Sequence, residues 1–463
     1  MKGFDFELSE LSIHPPSPAE ALCVLLVCVA VLRLMRKWRS NRCYLVAYTC
    51  YKPQDERKLN SETSEYVIRK SDPAPESLRF QVNVHIKSGL GQQTYAPNSF
   101  FQQPVVSSMS EGWLEMQEAF AATLSRLFQQ TEIRPCDVDI LIVNVCCFAP
   151  APSLSSWIVN HFGLREDVRS YNISGMGCSA GVIALGLARD LLRVHENSYA
   201  VIASTENLTM NRYEGNDKSM MMSNCLFRVG GSSLLLSNKA KDKGRAKMEM
   251  TRLVRTHLGC NDQAYNSIVQ REDDEDVMGV SLSTYLIEAA GIALKNNITT
   301  MATKVLPISE QIYFVYNMFC IRVLKSSVKP YVPNFRLAFE HFCIHPGGRA
   351  VINGIGKNLK LTEYDTEPAH MTLHRFGNTS TSGLWYEMAY MEAKRRVKKG
   401  DRVWQIALGS GFKCNTVVWK VLKKPDPVEY NVWSDCIDDY PCNTRNPFEQ
   451  EYKQRFNLFS KQS

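Results

Sequence analysis

Apolar and polar positions along this chain fall into bounded blocks, and from Phe80 onward helical-period stretches alternate with short continuous apolar runs. Glu111–Gln129 places Trp113, Met116, Phe120, Leu124 and Leu127 at helical spacing and predicts a helix. Asp139–Val145 is almost wholly apolar, the pattern of a central strand buried on both faces. A helix over Ser153–Phe162 and a strand over Val168–Ile173 follow. A glycine-rich turn then leads into the apolar helix Val182–Leu192, and Tyr199–Ala203 and Gly230–Leu236 predict two more buried strands. The second half replays this order. Phe339–Ile344 predicts a strand running into His345-Pro346-Gly347-Gly348, with a helix near Ala350–Leu359. Gly383–Lys399 predicts a helix ended by Gly400, and Val403–Leu408 and Thr416–Leu422 predict strands. Strand and helix alternating around apolar central strands define an α/β fold.

The two ends break this pattern. Residues 1–18 are polar and end in prolines, and Ala21–Leu32 is an uninterrupted apolar run followed by Arg33, Arg36, Lys37, Arg39 and Arg42. Twelve helical residues reach roughly 18 Å against a hydrocarbon core of roughly 30 Å. Such a helix either spans under strain, with Arg33 snorkelling, or lies in the interface. An acidic tail before the run and no small-residue cleavage site after it argue against a signal peptide. The basic cluster would hold everything after Arg36 on the cytosolic side. Residues 37–80 read as a partly extended connector packed on the body, and 425–463, rich in Pro, Asp and Asn, as a surface tail.

Composition narrows the function. A net charge of +7 over 463 residues, with no basic stripe interleaved with aromatics, argues against nucleic acid. Fifteen cysteines without CxxC spacing argue against zinc and for a reducing compartment, where the sequons at Asn172, Asn207, Asn297 and Asn378 carry no meaning. Lys239–Lys247 and Arg271–Asp276 read as solvated surface.

Candidate chemistry gathers at strand ends. Cys178 lies in Tyr171-Asn-Ile-Ser-Gly-Met-Gly-Cys178-Ser-Ala-Gly181, where a turn meets a helix N-terminus. Free N–H groups and the helix dipole there favour a thiolate nucleophile; a buried structural thiol is the alternative. His345 precedes two glycines, Asn378 sits in Leu373–Ser380, and Gly409-Ser410-Gly411 is a glycine loop whose N–H groups can approach a ligand. Each alone has a plain structural reading: core histidine, helix cap, ordinary turn.

Together these stretches resemble plant 3-ketoacyl-CoA synthases, thiolase-like condensing enzymes of very-long-chain fatty acid elongation related to chalcone synthase and ketoacyl-acyl-carrier-protein synthase III. The resemblance runs from Cys43 to Tyr440. It rests on Cys43–Pro53, Ser88–Pro97, Asn172–Gly181, Asn224–Gly231, Glu340–His345, Leu373–Ser380 and Gly409–Cys414. It implies a thiolase-like αβαβα body of two similar halves, 81–240 carrying the nucleophile and 241–424 carrying the His and Asn. Before it would come a tail and membrane-associated helix (1–36) and the connector (37–80), and after it the tail 425–463. Cys178 would be the nucleophile, with His345 and Asn378 stabilising an enolate and Gly409, Ser410 and Gly411 completing an oxyanion site. His257, His341 and His374 would stand behind them. The implied substrates are long-chain acyl-CoA and malonyl-CoA, with no metal, flavin or nicotinamide. The implied setting is the endoplasmic reticulum membrane with a cytosolic body, as a homodimer beside the reductases and dehydratase of an elongation complex. The family usually shows two apolar spans before Cys43–Pro53 where this chain shows one, and a shorter tail. A chalcone-type polyketide synthase and an inactive scaffold homologue are the alternatives.

Overall fold

The computed structural model describes residues 42–446, apart from 71–72, 103–106, 323–330 and 427–428, together with residue 449. The Ala21–Leu32 run, the basic residues before Arg42 and the C-terminal stretch after Asn446, residue 449 apart, lie outside the described residues. Among those described, no helix is long and apolar enough to cross a membrane.

Nine strands make the principal sheet: β1 (Tyr44–Cys50), β2 (Ile140–Asn144), β3 (Arg169–Ile173), β4 (Tyr199–Thr205), β5 (Gly231–Ser237), β6 (Met248–His257), β7 (His341–Ile344), β8 (Arg402–Gly409) and β9 (Lys413–Val421). Their spatial order is β7-β8-β9-β6-β1-β5-β4-β2-β3. Parallel pairs (β2 with β3 and β4, β7 with β8) sit near the outer ends, and antiparallel pairs fill the middle. Within the sheet the first half, β3-β2-β4-β5-β1, joins the second along a short seam, where Tyr44 and Leu45 pair with Glu249 and Met248 and the Cys43 carbonyl accepts the Met250 N–H.

That narrow join lets the two halves face each other across helices. The labelled helices are α1 (Ser61–Arg69), α2 (Pro75–Lys87), α3 (Met109–Thr131), α4 (Leu154–Phe162), α5 (Ala180–Val194), α6 (Lys218–Leu226), α7 (Leu286–Val305), α8 (Ile308–Arg322), α9 (Arg349–Leu359), α10 (Glu363–Phe376) and α11 (Gly383–Ala393). α5 packs on β2 and β4 and also on β9; α11 packs on β1, β7 and β8. These two helices therefore form a layer between the halves, while α3 covers β1, β4 and β5 outside, and α7 covers β6 and β9. The result is a thiolase-like α/β body. Strands buried on both faces need apolar side chains in both directions, and β2, β4 and β5 are buried at every position.

Helix ends follow local chemistry. Ser108 accepts the Glu111 N–H to start α3, Ser153 caps α4, and Thr362 with Asp365 forms a capping box on α10.

Several expectations change. The Cys43–Pro53 stretch is no connector: β1 is a fully buried interior strand, because both faces of YLVAYTC find cover. Residues 61–69 and 75–87 are helical as well. The Gly383–Lys399 helix stops at Ala393, where Arg395 turns left-handed (φ 55°) and Arg396 is drawn to Glu367. The described part of the C-terminal stretch is docked: Trp433 is fully buried, edge-on to Phe376 and Tyr390, with its Nε1 donating to the Tyr386 carbonyl at 2.9 Å. In Lys239–Lys247, Asp242 is buried, accepting from Ser237 and Arg245, and Lys247 pairs with Glu392 and Glu429. Arg271–Asp276 belongs to an antiparallel hairpin, Ile268–Glu272 with Met278–Leu282, and is largely exposed at its turn.

Candidate active site

Cys178 occupies a single 3-10 turn, Gly177–Ser179, between β3 and α5. Gly177 holds φ 67°, a conformation open chiefly to glycine, and a side chain there would run into the Ser410 amide. The Gly409–Gly411 loop between β8 and β9 returns the contact: a methyl group on Gly409 would stand 3.1 Å from the Cys178 nitrogen. The two glycine turns interlock, so the nucleophile position and the candidate oxyanion loop meet at one point.

A cavity of about 800 Å³ opens there. Cys178, Glu206, Ser380, His257, Ser410 and Lys413 line its chemical end. Phe100, Leu208 and Phe227, with Ile268, Val280 and Leu282 of the hairpin, supply apolar wall.

The electrostatics of Cys178 depart from the helix-dipole expectation. Burial pushes its thiol up to about 12; the Ser380 hydroxyl pulls it down, while the Glu206 carboxylate and Cys146 add to the rise. The resting group is a thiol, because removing water from a sulfur anion outweighs what one short turn of N–H groups returns. Glu206 is itself raised by burial and accepts from Cys147 N–H (3.1 Å) and the Ser380 hydroxyl (3.0 Å).

His345 lies at the C-terminal end of β7, its N–H donating to the Ile406 carbonyl at 2.9 Å. Its ring is buried against Gly347, and desolvation alone lowers it to about 4, so the imidazole is neutral at physiological pH. Asn378 follows α10. It forms a parallel bridge with Phe227, its carbonyl accepting the Arg228 N–H at 3.0 Å, and its Oδ1 accepts the Ser380 N–H at 2.9 Å. Ser380 therefore ties Asn378 to Glu206 and Cys178, and does so with a left-handed backbone (φ 53°) that costs a serine energy. His345 and Asn378 are not among the residues lining the cavity; the His345 turn reaches Asn378 through Leu226, whose carbonyl accepts the Asn378 N–H and whose side chain approaches Gly348. Pro346 packs against Gly383, three residues beyond Ser380.

The three further histidines separate. His257 is on the cavity wall beside Gly411 and Gly259. His341 stands at the start of β7, roughly 13 Å of strand from His345, bonded to Asp401 at 2.8 Å. His374 bonds the Tyr440 hydroxyl at 3.1 Å and is lowered to about 4 by burial, anchoring the C-terminal stretch. Glu206 and Ser380 are site residues that sequence reasoning misses. An acid directly after the apolar run of β4 is a visible signal, since open α/β sheets build sites at strand C-termini. Among the described residues no cluster of His, Cys, Asp or Glu has metal-site geometry.

Known proteins share this chain's sequence pattern and fold. The profile of the FAE1/Type III polyketide synthase-like protein family matches residues 34–324, and that of the 3-Oxoacyl-[acyl-carrier-protein (ACP)] synthase III C terminal matches 338–421. The fold is that of PKS-I from the brown alga Ectocarpus siliculosus (TM-score 0.66, 14% identity, 82% of this chain and 98% of that one). It is likewise that of CsyB complexed with CoA-SH (TM-score 0.64, 18% identity, 82% of this chain and 100% of that one). In Arabidopsis thaliana, 3-ketoacyl-CoA synthase 4 is 49% identical over 425 residues, covering 91% of this chain and 82% of the relative. 3-Ketoacyl-CoA synthase 9 is 50% identical over 404 residues, 87% and 79%. The chain thus belongs to the FAE1/type III polyketide synthase-like family of condensing enzymes, and within it to the 3-ketoacyl-CoA synthases.

Proposed function

We propose that this enzyme condenses a long-chain acyl-CoA with malonyl-CoA, giving a 3-ketoacyl-CoA, carbon dioxide and free CoA, as the first step of very-long-chain fatty acid elongation. The observation that carries it is the meeting of Cys178, the Gly409–Gly411 loop and a large cavity with apolar wall at one point. In the first half-reaction the Cys178 sulfur attacks the acyl thioester while its proton passes to neutral His345; CoA leaves as a thiol, taking a proton. In the second, malonyl-CoA loses carbon dioxide, and the electron pair of the broken C–C bond moves onto the thioester oxygen. An N–H of His345 and the amide of Asn378 donate to that enolate. The enolate carbon attacks the acyl group on Cys178, its oxyanion taking the N–H groups of Cys178 and the glycine loop. Collapse then returns the sulfur, which is reprotonated. Decarboxylation generates the carbanion without a base, so a neutral imidazole suffices, and the sequence balances with the two thioesters and one proton from solvent, which restores the Cys178 thiol.

The same reading puts the enzyme at the endoplasmic reticulum membrane with a cytosolic body, as a homodimer working with the reductases and dehydratase of an elongation complex. Membranes from cells expressing the full chain, given labelled malonyl-CoA and a ladder of acyl-CoAs, are expected to yield acyl chains longer by two carbons. Pyrones or chalcone-type products in their place would overturn the reading.

A further inference from the structure

Two consecutive helices of the second half differ in what they show to solvent. The exposed face of α7 is mostly polar, with Glu288, Lys295, Asn296, Thr299 and Thr303 beside two separate isoleucines, Ile287 (56%) and Ile292 (39%). Across Pro307, α8 exposes Ile308 (74%), Ile312 (64%), Val315 (65%), Tyr316 (62%) and Phe319 (50%). Their spacing of four, three, one and three residues is a continuous helical stripe. The other side of α8 is held to the body. Glu310 accepts from the Tyr331 hydroxyl (2.7 Å) and the Asn334 N–H (3.1 Å), and Asn317 accepts the Tyr331 N–H (2.8 Å). The stripe is therefore fixed in orientation, not the side of a helix free to roll inward. A row of five large apolar groups facing water on a well-anchored helix marks a docking surface.

We propose that the exposed face of α8 lies in the interface of a lipid bilayer and is a second membrane contact of the catalytic body; this rests on the reading that the enzyme works at a membrane. Four observations choose lipid as the occupant. Between Glu310 and Glu340 the sequence has no Asp or Glu, while Arg322, Lys325 and Lys329 follow the stripe within ten residues. An apolar face on a stretch of chain that is free of acids and carries cations in its sequence fits an anionic lipid surface. Fifteen residues of helix reach roughly 22 Å, short of a roughly 30 Å core, so α8 lies flat and does not span. The sequence before the described residues has its own apolar run, Ala21–Leu32, followed by basic residues, a second stretch of the same lipid-compatible chemistry. Tyr316 in the stripe suits the headgroup level, where an aromatic body and a polar tip are both satisfied.

The test uses the full chain in vesicles of phosphatidylcholine with a minority of phosphatidylserine, both carrying a photoactivatable group on the acyl chain. After irradiation, lipid adducts are mapped by peptide mass spectrometry. Adducts are expected on the 308–319 peptide as well as within the first 41 residues, falling at least fivefold on that peptide in the Ile312→Glu/Val315→Glu/Phe319→Glu variant. Adducts confined to the first 41 residues of the wild-type chain would overturn the proposal without any variant. So would a variant that turns a detergent-solubilised dimer into a monomer, which would make the face a contact between copies. A photo-cross-link from α8 to the chain's own N-terminal run would overturn it equally. Cys178→Ala protein labelled the same way separates the two readings: its adducts should match wild type although it cannot condense, so a failed condensation assay leaves the lipid map to be judged alone.

Discussion

The two halves build the same corner and furnish it oppositely. At the end of β3 the chain turns through Gly175–Ser179 into α5; at the end of β7 it turns through His345–Gly348 into α9. The first corner faces the cavity and carries a thiol held near 12 by burial with a buried carboxylate close by. The second carries an imidazole lowered to about 4 by burial alone, with no charged group contributing. A repeated fold thus supplies two positions, and the side chains at each decide its chemistry. One corner must break and form bonds to sulfur, and the other must accept a proton during loading and donate hydrogen bonds as a neutral imidazole during condensation.

Removing the sulfur tests the first corner most severely. Cys178→Ala is expected to abolish both acyl loading and condensation while leaving the melting temperature close to wild type; elongation near the wild-type rate would reduce Cys178 to a structural thiol.

The second corner should fail at a different step. His345→Ala and Asn378→Ala are each expected to slow carbon dioxide release from malonyl-CoA by about 100- to 1,000-fold, the usual loss for one oxyanion-type donor. Acyl loading, followed with labelled acyl-CoA, should survive in Asn378→Ala. Normal carbon dioxide release in that variant would remove it from the site. Because His345 must be neutral and is lowered to about 4, the wild-type decarboxylation rate should not fall from pH 8 to pH 5.5 through this group. A loss centred near 6.5 would contradict its buried, unpaired setting.

How the corners are held can be separated from what they carry. Gly175 and Gly177 both adopt φ 67°, but a methyl group at Gly175 meets open space, whereas one at Gly177 meets the backbone of Ser410. Gly175→Ala should cost about 1 kcal/mol of stability, the strain of a left-handed residue, with activity nearly intact. Gly177→Ala should also move Cys178 against the 409–411 loop and lose about tenfold to a hundredfold in condensation. Equal behaviour of the two variants, read by thermal unfolding and turnover, would mean the turns do not interlock.

Much of this body was legible from apolar runs, since strands covered on both faces must be apolar throughout; β2, β4 and β8 follow directly. What escaped had physical reasons. β1 is followed by the charged stretch from Lys52 to Lys58, and its place between the halves depends on partners about two hundred residues away. Pro368 inside α10 hides a helix that tertiary packing preserves, and α8 carries its apolar stripe on the exposed side while Asn317 and Cys320 are buried, the reverse of the usual pattern. Trp433 docks from a segment without periodicity. In the site, strand-end position exposed Cys178 and His345, whereas Asn378 follows the helix α10 and not a strand, and Glu206, visible as an acid after β4, acquires its role only when its partners Ser380 and Cys147 are seen.

That carboxylate gives the smallest and most discriminating effect. Glu206 raises the Cys178 thiol only while it is ionised, and its own pKa is raised above the usual glutamate value by burial. Below that raised pKa the carboxyl is neutral, and Glu206→Gln should leave Cys178 alkylation by iodoacetamide unchanged. As pH rises through it, the wild-type carboxylate charges and opposes thiolate formation, but the glutamine does not. The ratio of variant to wild-type alkylation should therefore grow with pH, reaching about threefold to tenfold, where tenfold corresponds to one pKa unit. The hydrogen bonds push the same way. A glutamine amide donates to Ser380 where the carboxylate accepted, which frees the Ser380 hydroxyl to donate to sulfur and stabilise the thiolate. Alkylation read peptide by peptide keeps Cys178 distinct from the other thiols. A ratio that stays flat from pH 5.5 to 9 would mean that Glu206 serves only to hold Ser380 and Cys147 in place, and that the charge difference between the two corners comes from burial alone.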